Sequence, residues 1–431
     1  MVKIKNYIGI NKFFFTLKIK IHVLFYTIKK LFKGNISIFR FTRILKRLNY
    51  FLIKLKYNKY VKIGKKTRFD LYIPGFPSQG FYTALNKFDI FDEKLPNTTV
   101  LISLTSACRY KCIHCYQKFD RGKDLPLSLL IPVVKKLQDM GVAFFNIEGG
   151  EPFLVYNKLK KACEVIDGRS EIWINTTGDG MTKEKCKELK DLGVTAVMFS
   201  LHSIVPEELD TFMGYNWAWD NLVKGIEMCH KTDIPIAFNI CLQPMAFYNG
   251  DFEEIMKKAK SFNAAIIQLI KPKPSGAWLK SGAGVFTEND IEMVKIVVNR
   301  YNNNRIYKDY PSISAQICEE LPQMFGCTAG GTDRFYINAK GDVQPCEFLN
   351  ISFGNIQNED FSIIYKRMRK VFNKPGENWL CEKYSKDIVK IMKAYNITTL
   401  PLNKELSKQV YENWDRGNYT ELYKVFEEKY K

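Results

Sequence analysis

No stretch of the 431 residues reaches the ~18 consecutive apolar residues that a membrane-spanning helix needs. The longest uncharged run, residues 234–250, holds two prolines together with Asn239 and Gln243, so it is no span either. The first thirty residues are interrupted by lysine throughout and lack a small-residue cleavage site, which argues against a secretory signal. Eleven cysteines are too few for a disulfide framework at this length, and an odd count leaves one unpaired. The expectation is a cytoplasmic protein with reduced thiols. At 46% hydrophobic and 14% aromatic, the chain is not disordered or collagen-like, and its length suggests two or three structural units.

Acidic residues are missing from one region entirely. Residues 1–69 contain nineteen Lys and Arg and no Asp or Glu, the first acid being Asp70. The remaining 362 residues carry 46 basic and 45 acidic groups, so the net charge of +20 belongs almost wholly to an N-terminal arm. The arm is rich in Phe, Ile, Leu and Tyr. Ile38, Phe41, Ile44, Leu45, Leu48, Phe51, Leu52 and Leu55 recur at helical spacing, with Arg40, Arg43, Arg47, Lys54 and Lys56 on much of the remaining surface. A basic amphipathic helix of this kind suits an anionic membrane surface, where each cation contributes on the order of 1 kcal/mol. The same pattern also fits helices that pack their apolar face on the body. Nucleic acid would use the same charge, but no zinc-finger, helix-turn-helix or RNP-type signature accompanies it.

Past a turn-rich connection (residues 67–98), short apolar β-type runs appear at 100–105, 142–147, 171–175, 196–201, 235–241 and 264–270. Helix-like charged segments separate them. Strands alternating with helices predict βαβ units, a parallel sheet and an α/β fold built as a partial (β/α)6 barrel over residues 99–312. Catalytic groups on such a barrel lie at the C-terminal strand ends. The alternation stops near residue 312, after which a hairpin at 335–344 sits among cysteines and the last fifty residues look helical. The expected divisions are therefore 1–66, 67–98, 99–312, 313–390 and 391–431.

Directly after the first strand come Cys108, Cys112 and Cys115, spaced Cys-x3-Cys-x2-Cys. Three thiolates in eight residues can converge on one soft metal centre. A structural zinc would want a fourth ligand, and none lies close by. A cubane cluster held by three cysteines keeps one iron open for chemistry. After the second strand comes Gly149-Gly150-Glu151-Pro152, where adjacent glycines let a ligand approach the backbone closely.

Together these motifs resemble the radical S-adenosylmethionine (radical SAM) superfamily. The resemblance implies that Cys108, Cys112 and Cys115 hold a [4Fe-4S] cluster whose open iron chelates S-adenosylmethionine. It places Gly149, Gly150 and Glu151 at the methionine amino group and His114 beside the adenine. By position in strands four and five, Ser200 (or His202) and Asn239 fall where family members hold ribose or carboxylate. The chemistry implied is one-electron reduction of the sulfonium by a partner such as flavodoxin or ferredoxin, carbon–sulfur cleavage, and hydrogen abstraction from a substrate carbon.

Cys327, the Gly-x4-Cys element ending at Cys346, and Gly354-Asn355-Ile356 resemble the auxiliary-cluster extension called twitch or SPASM. The full cysteine run of that extension is missing, which favours one auxiliary [4Fe-4S] cluster over two. Cys318, Cys327, Cys346 and Cys381 are its candidate ligands, and an open iron with three of them is the alternative to full ligation. A buried thiol set without metal competes with both. No residue is assigned as catalytic. The leading expectation is a lipid or lipid-linked substrate at a membrane face. The alternative is maturation of a ribosomally made peptide through a thioether or carbon–carbon crosslink. A non-enzymatic iron–sulfur carrier fits poorly, having no need of the glycine motif.

Overall fold

The computed structural model describes residues 2–89, 98–281 and 285–430. Residues 90–97 of the expected connecting segment lie outside the described residues. A three-stranded antiparallel sheet is made by β1 (Ile4–Tyr7), β2 (Tyr60–Ile63) and β3 (Lys66–Arg68). The large sheet comprises β4 (Thr99–Ser103), β5 (Phe144–Glu148), β6 (Glu171–Thr176), β7 (Val194–Ser200), β8 (Ile236–Cys241), β9 (Ile266–Ile270), β10 (Ser312–Ala315), β11 (Arg334–Ile337) and β12 (Val343–Gln344), in spatial order β10-β9-β8-β7-β6-β5-β4-β11-β12.

All pairings from β10 across to β11 are parallel, and β12 closes the antiparallel hairpin. The six expected strands are all present. The structure adds a seventh parallel strand, β10, beside β9, and places the cysteine-rich hairpin's β11 alongside β4, where it prolongs the barrel sheet. Strands such as β5, Phe-Phe-Asn-Ile-Glu, are buried along their whole length because helices cover one face and the barrel interior the other. The covering helices carry clear end signals. The helix at Leu127–Met140 stops at Gly141 in the left-handed region (φ 108°), and the helix at Glu288–Asn303 starts with a Thr287/Asp290 capping box.

The basic arm is part of this body. It forms helices α1 (Gly9–Phe32) and α2 (Ile38–Lys54) besides the small sheet. In α2, Ile44, Leu48, Phe51 and Leu52 are buried in an apolar cluster with Phe76, Phe81, Phe88 and Phe426. The stripe that suits a membrane interface by its sequence is thus turned inward, with Phe41 half-buried at its margin. Arg47 from the same helix is buried too, donating to the carbonyls of Phe88, Asp89 and Phe426 at 3.0–3.2 Å. Its pKa is drawn down to about 10, burial being the main cause.

The small sheet and the chain after it seal the N-terminal end of the barrel. Val61 and Leu71 pack there with Phe144, Trp173, Met198 and Ala237. Arg68 is ion-paired with Glu171 at the start of β6, and its guanidinium lies 4.6 Å from the Trp173 ring. Lys59 donates to the carbonyls of Tyr307 and Tyr310.

Candidate functional site

At the opposite, C-terminal end of the parallel strands lies a cleft of ≈ 940 Å³, solvent at its mouth included. Strands β5 to β9 deliver side chains to it: Glu148 from β5, Asn175 and Thr176 from β6, Ser200 from β7, Asn239 and Cys241 from β8, then Ile270 and Lys271 at the end of β9. His114, Gly149, Gly150, Ser200 and Asn239, all expected at a cofactor site, line this one cleft.

The loop after β4 carries Cys108, exposed, and Cys112 and Cys115, half-buried. It is clamped from three sides. Lys111 N–H and Ile113 N–H donate to the carbonyls of Met213 and Phe212. Ala277 N–H donates to the Cys115 carbonyl at 2.9 Å, and Gly150 and Glu151 donate to those of Thr105 and Ala107. Burial raises the thiols of Cys112 and Cys115, so metal loading has to release protons from them. Among the described residues no three His, Cys, Asp or Glu side chains converge tightly enough for a single ion. A cubane cluster spreads its ligands over separate irons and asks for a wider set than tetrahedral zinc.

Gly150 is tied to that loop by sterics. A Cβ on Gly150 would stand 2.3 Å from the Ala107 carbonyl oxygen, and one on Gly149 2.8 Å from that of Thr105. The glycines therefore let two loops meet as well as opening the backbone to a ligand. Gly150→Ala should push the cysteine loop away, destabilising the fold by about 1–3 kcal/mol and lowering both bound iron and S-adenosylmethionine affinity. Iron analysis and equilibrium binding check this. Normal iron with lost affinity would mean the glycine serves only the ligand.

Glu151 behaves differently from the expectation that it contacts the methionine amino group. It is fully buried and turned away from the cleft, its carboxylate accepting from Thr176 Oγ1, Thr177 N and Oγ1, and Phe153 N at 2.6–3.0 Å. Burial lifts its pKa to about 7 against those hydrogen bonds. Its visible work is to brace the turn after β5 against the end of β6.

Five buried polar atoms around the cleft have no hydrogen-bond partner: His114 Nδ1, Asn146 Oδ1, Asn175 Oδ1, His202 Nε2 and Asn239 Oδ1. Buried polar atoms are almost always paired in a finished structure, so a convergent unpaired set marks where a polar ligand sits. His202 Nδ1 accepts from Cys241 N–H, which leaves the proton on Nε2 facing the cleft. Burial keeps both rings neutral, His114 with its pKa near 4. The His114 ring lies 4.5–5.8 Å from those of His202, Phe212 and Trp278, inclined to them by 34–69°, an aromatic corner against which a heterocycle can pack. The residues fit an adenosyl ligand with an amino-acid tail.

Sequence reasoning passed over Glu148, Lys271, Lys273 and Glu347. Glu148 accepts from Tyr116 Oη at 2.7 Å and Asn175 Nδ2 at 3.0 Å, and its pKa rises to about 7, mainly through burial and then through Glu347. The signal available was its place, immediately before the glycine motif. Tyr215, Trp217 and Trp219 stay outside the cleft.

A second, smaller cavity of ≈ 330 Å³ is lined by Cys327, Cys346 and Cys381 with Lys273, Glu320, Arg334 and Trp379. Cys318 is not among its lining residues; on the short helix at Gln316–Glu319 it feels Lys295 and Glu292 of another helix. Lys273 and Phe348 line both cavities, so the two cavities adjoin. Lys273 is ion-paired with Glu382 at 2.8 Å and sits 3.3 Å over Trp379.

Residues 102–261 match the profile of the radical SAM superfamily. The chain carries a radical SAM domain. Residues 327–387 match the SPASM iron–sulfur cluster-binding domain, which contains Cys327, Cys346 and Cys381 and excludes Cys318. A radical SAM domain brings a [4Fe-4S] cluster and S-adenosylmethionine, and a SPASM domain brings auxiliary iron–sulfur chemistry. Similar proteins include an AdoMet-dependent heme synthase of Methanosarcina barkeri, 23% identical over 65% of this chain and 86% of the relative. They also include a PqqA peptide cyclase of Rhizobium meliloti, 22% identical over 67% and 78%. The radical SAM fold extends to a solved structure, Streptococcus suis SuiB bound to S-adenosylmethionine, with a TM-score of 0.54 at 16% identity over 71% of this chain and 76% of that one.

Proposed function

We propose that Cys108, Cys112 and Cys115 hold the S-adenosylmethionine-binding cluster, that Cys327, Cys346 and Cys381 hold one auxiliary cluster, and that the enzyme modifies a polypeptide substrate at an unactivated carbon. When bound, the cluster and S-adenosylmethionine supply reductive carbon–sulfur cleavage and hydrogen abstraction, with an external donor such as flavodoxin or ferredoxin providing the electron. The observation that carries the reading is the pair of adjoining cavities joined at Lys273 and Phe348, the first lined by His114 and Tyr116 on either side of Cys115 and the second by Cys327, Cys346 and Cys381.

Within the first cavity His114, His202 and Trp278 would hold the adenine, while Ser200, Asn239 and the backbone at Gly149 and Gly150 would orient the rest of the cofactor. Lys271 and Lys273 present cations between the two sites, and Glu148 can hold or release a proton near neutral pH. A polypeptide is preferred to a lipid because the stripe behind the lipid reading is packed into the core. The peptide cyclase among the relatives aligns over most of its length.

Cys381→Ala should remove about half the iron of the reconstituted protein, whereas Cys318→Ala should leave it unchanged. Equal losses would restore Cys318 to the ligand set. For the substrate, anaerobic incubation with reductant, S-adenosylmethionine and fractionated cell extract should yield a peptide lighter by one hydrogen pair, read by mass spectrometry. A mass change confined to the lipid fraction would reverse the choice.

A further inference from the structure

Helix α1 has two apolar faces, and the fold uses one. Ile19, Val23 and Thr27 are buried, and Phe15 packs against Tyr7 and Phe76. The other side carries Ile10, Phe14, Leu17, Ile21, Phe25 and Phe32, at helical spacing along a single stripe. These side chains stand in solvent: Phe14 is 59% exposed, Phe25 66% and Phe32 86%. A run of this length on the surface of a folded protein marks an interaction site.

The charge around it decides what the partner is. Lys18, Lys29 and Lys33 are exposed beside the stripe, and residues 1–69 contain no acid. A second copy of this chain would bring the same cations against them, and like charges oppose that pairing. An anionic bilayer answers both features, accepting the aromatic and aliphatic side chains at the acyl boundary and the lysines at the head groups. No described helix is long and apolar enough to cross a membrane, which leaves α1 lying in the plane of the surface.

We propose that the outer face of α1 docks the enzyme on an anionic lipid surface, with α2 and the small sheet fixing α1 rigidly to the barrel. The proposal goes beyond the cluster and substrate assignments and does not depend on them. Because the N-terminal sheet covers the barrel's N-terminal end, the cleft at the opposite strand ends keeps its own entrance.

The test uses full-length holoprotein, purified anaerobically, with vesicles of equimolar phosphatidylglycerol and phosphatidylcholine or of phosphatidylcholine alone. The intact chain should sediment with the mixed vesicles at low salt and bind the neutral ones at least about tenfold more weakly. The double variant Leu17→Glu, Phe25→Glu changes only exposed side chains and should keep its cluster absorbance. Its binding to the mixed vesicles should fall by at least about tenfold. Failure of the intact chain to bind, or unchanged binding by the variant, would overturn the proposal. So would a dimer of the intact chain that the variant dissociates, which would assign the face to self-association. None of these outcomes bears on which cysteines hold iron.

Discussion

Alanine at Cys108, Cys112 and Cys115 together is expected to reduce S-adenosylmethionine cleavage to background and to lower iron from about eight to about four per chain. The remaining iron should belong to the second cavity. That cavity is lined by Cys327, Cys346 and Cys381, which reach it from the hairpin region and from the short helix at Leu380–Lys383. The fold should tolerate the change, because Cys108 is exposed and the other two thiols are only half-buried. The loop is held by backbone hydrogen bonds to Phe212, Met213 and Ala277, none of which needs a thiol. Iron and sulfide analysis, with 5′-deoxyadenosine measured under reducing conditions, reads both halves of the expectation. Zinc in anaerobically purified protein, or cleavage that persists in the triple variant, would overturn the assignment.

The barrel was readable because parallel strands covered on both faces must be almost continuously apolar, and runs such as Val100–Ile102 or Phe144–Ile147 announce themselves. Strand β10 escaped for the converse reason. Ser-Ile-Ser-Ala offers one large apolar side chain, and its serines are buried by hydrogen bonds to Lys59 O and to Glu319. A residue pattern records polarity but not the partner that satisfies it.

The same limit separates Gly150 from Glu151. Both stand in one motif, and the family resemblance assigns both to the cofactor. The direction of a side chain is set by what surrounds it, and at Glu151 that is Thr176 and Thr177 at the end of the neighbouring strand. Helical periodicity in α2 likewise showed that one face must be covered without saying whether lipid or Phe88 and Phe426 would cover it. In α1 the apolar residues occur nearly all round, so no single stripe drew attention, although the exposed one is the more informative.

Removing residues 1–66 is therefore expected to cost the fold and not merely an appendage. Leu48, Phe51, Leu52, Leu55, Tyr60 and Val61 are each less than 5% exposed. At about 1.5–3 kcal/mol for each buried side chain, their loss amounts to on the order of 10 kcal/mol. That is comparable with the whole stability of a typical domain, ~5–15 kcal/mol. The truncation also uncovers the partners left behind, Phe88 and Phe426 on one side and Trp173 and Phe144 at the barrel's N-terminal end. It removes Lys66 from Glu171, although Arg68 stays to pair that buried carboxylate. The truncated chain should accumulate as aggregate and hold little iron, even though every candidate cluster ligand lies beyond residue 100. Fractionation of the expressed protein, with iron analysis of any soluble part, measures this. A soluble, iron-replete truncation would show the barrel sealing its own N-terminal end and would return the arm to the status of a detachable tether. By contrast, Leu17→Glu with Phe25→Glu should leave solubility intact, because those side chains face outward and bury nothing of the core. The truncation takes away both faces of α1 together with α2, whereas the double variant alters only the outer face of α1, so opposite outcomes separate what the arm does for the fold from what α1 offers to a partner.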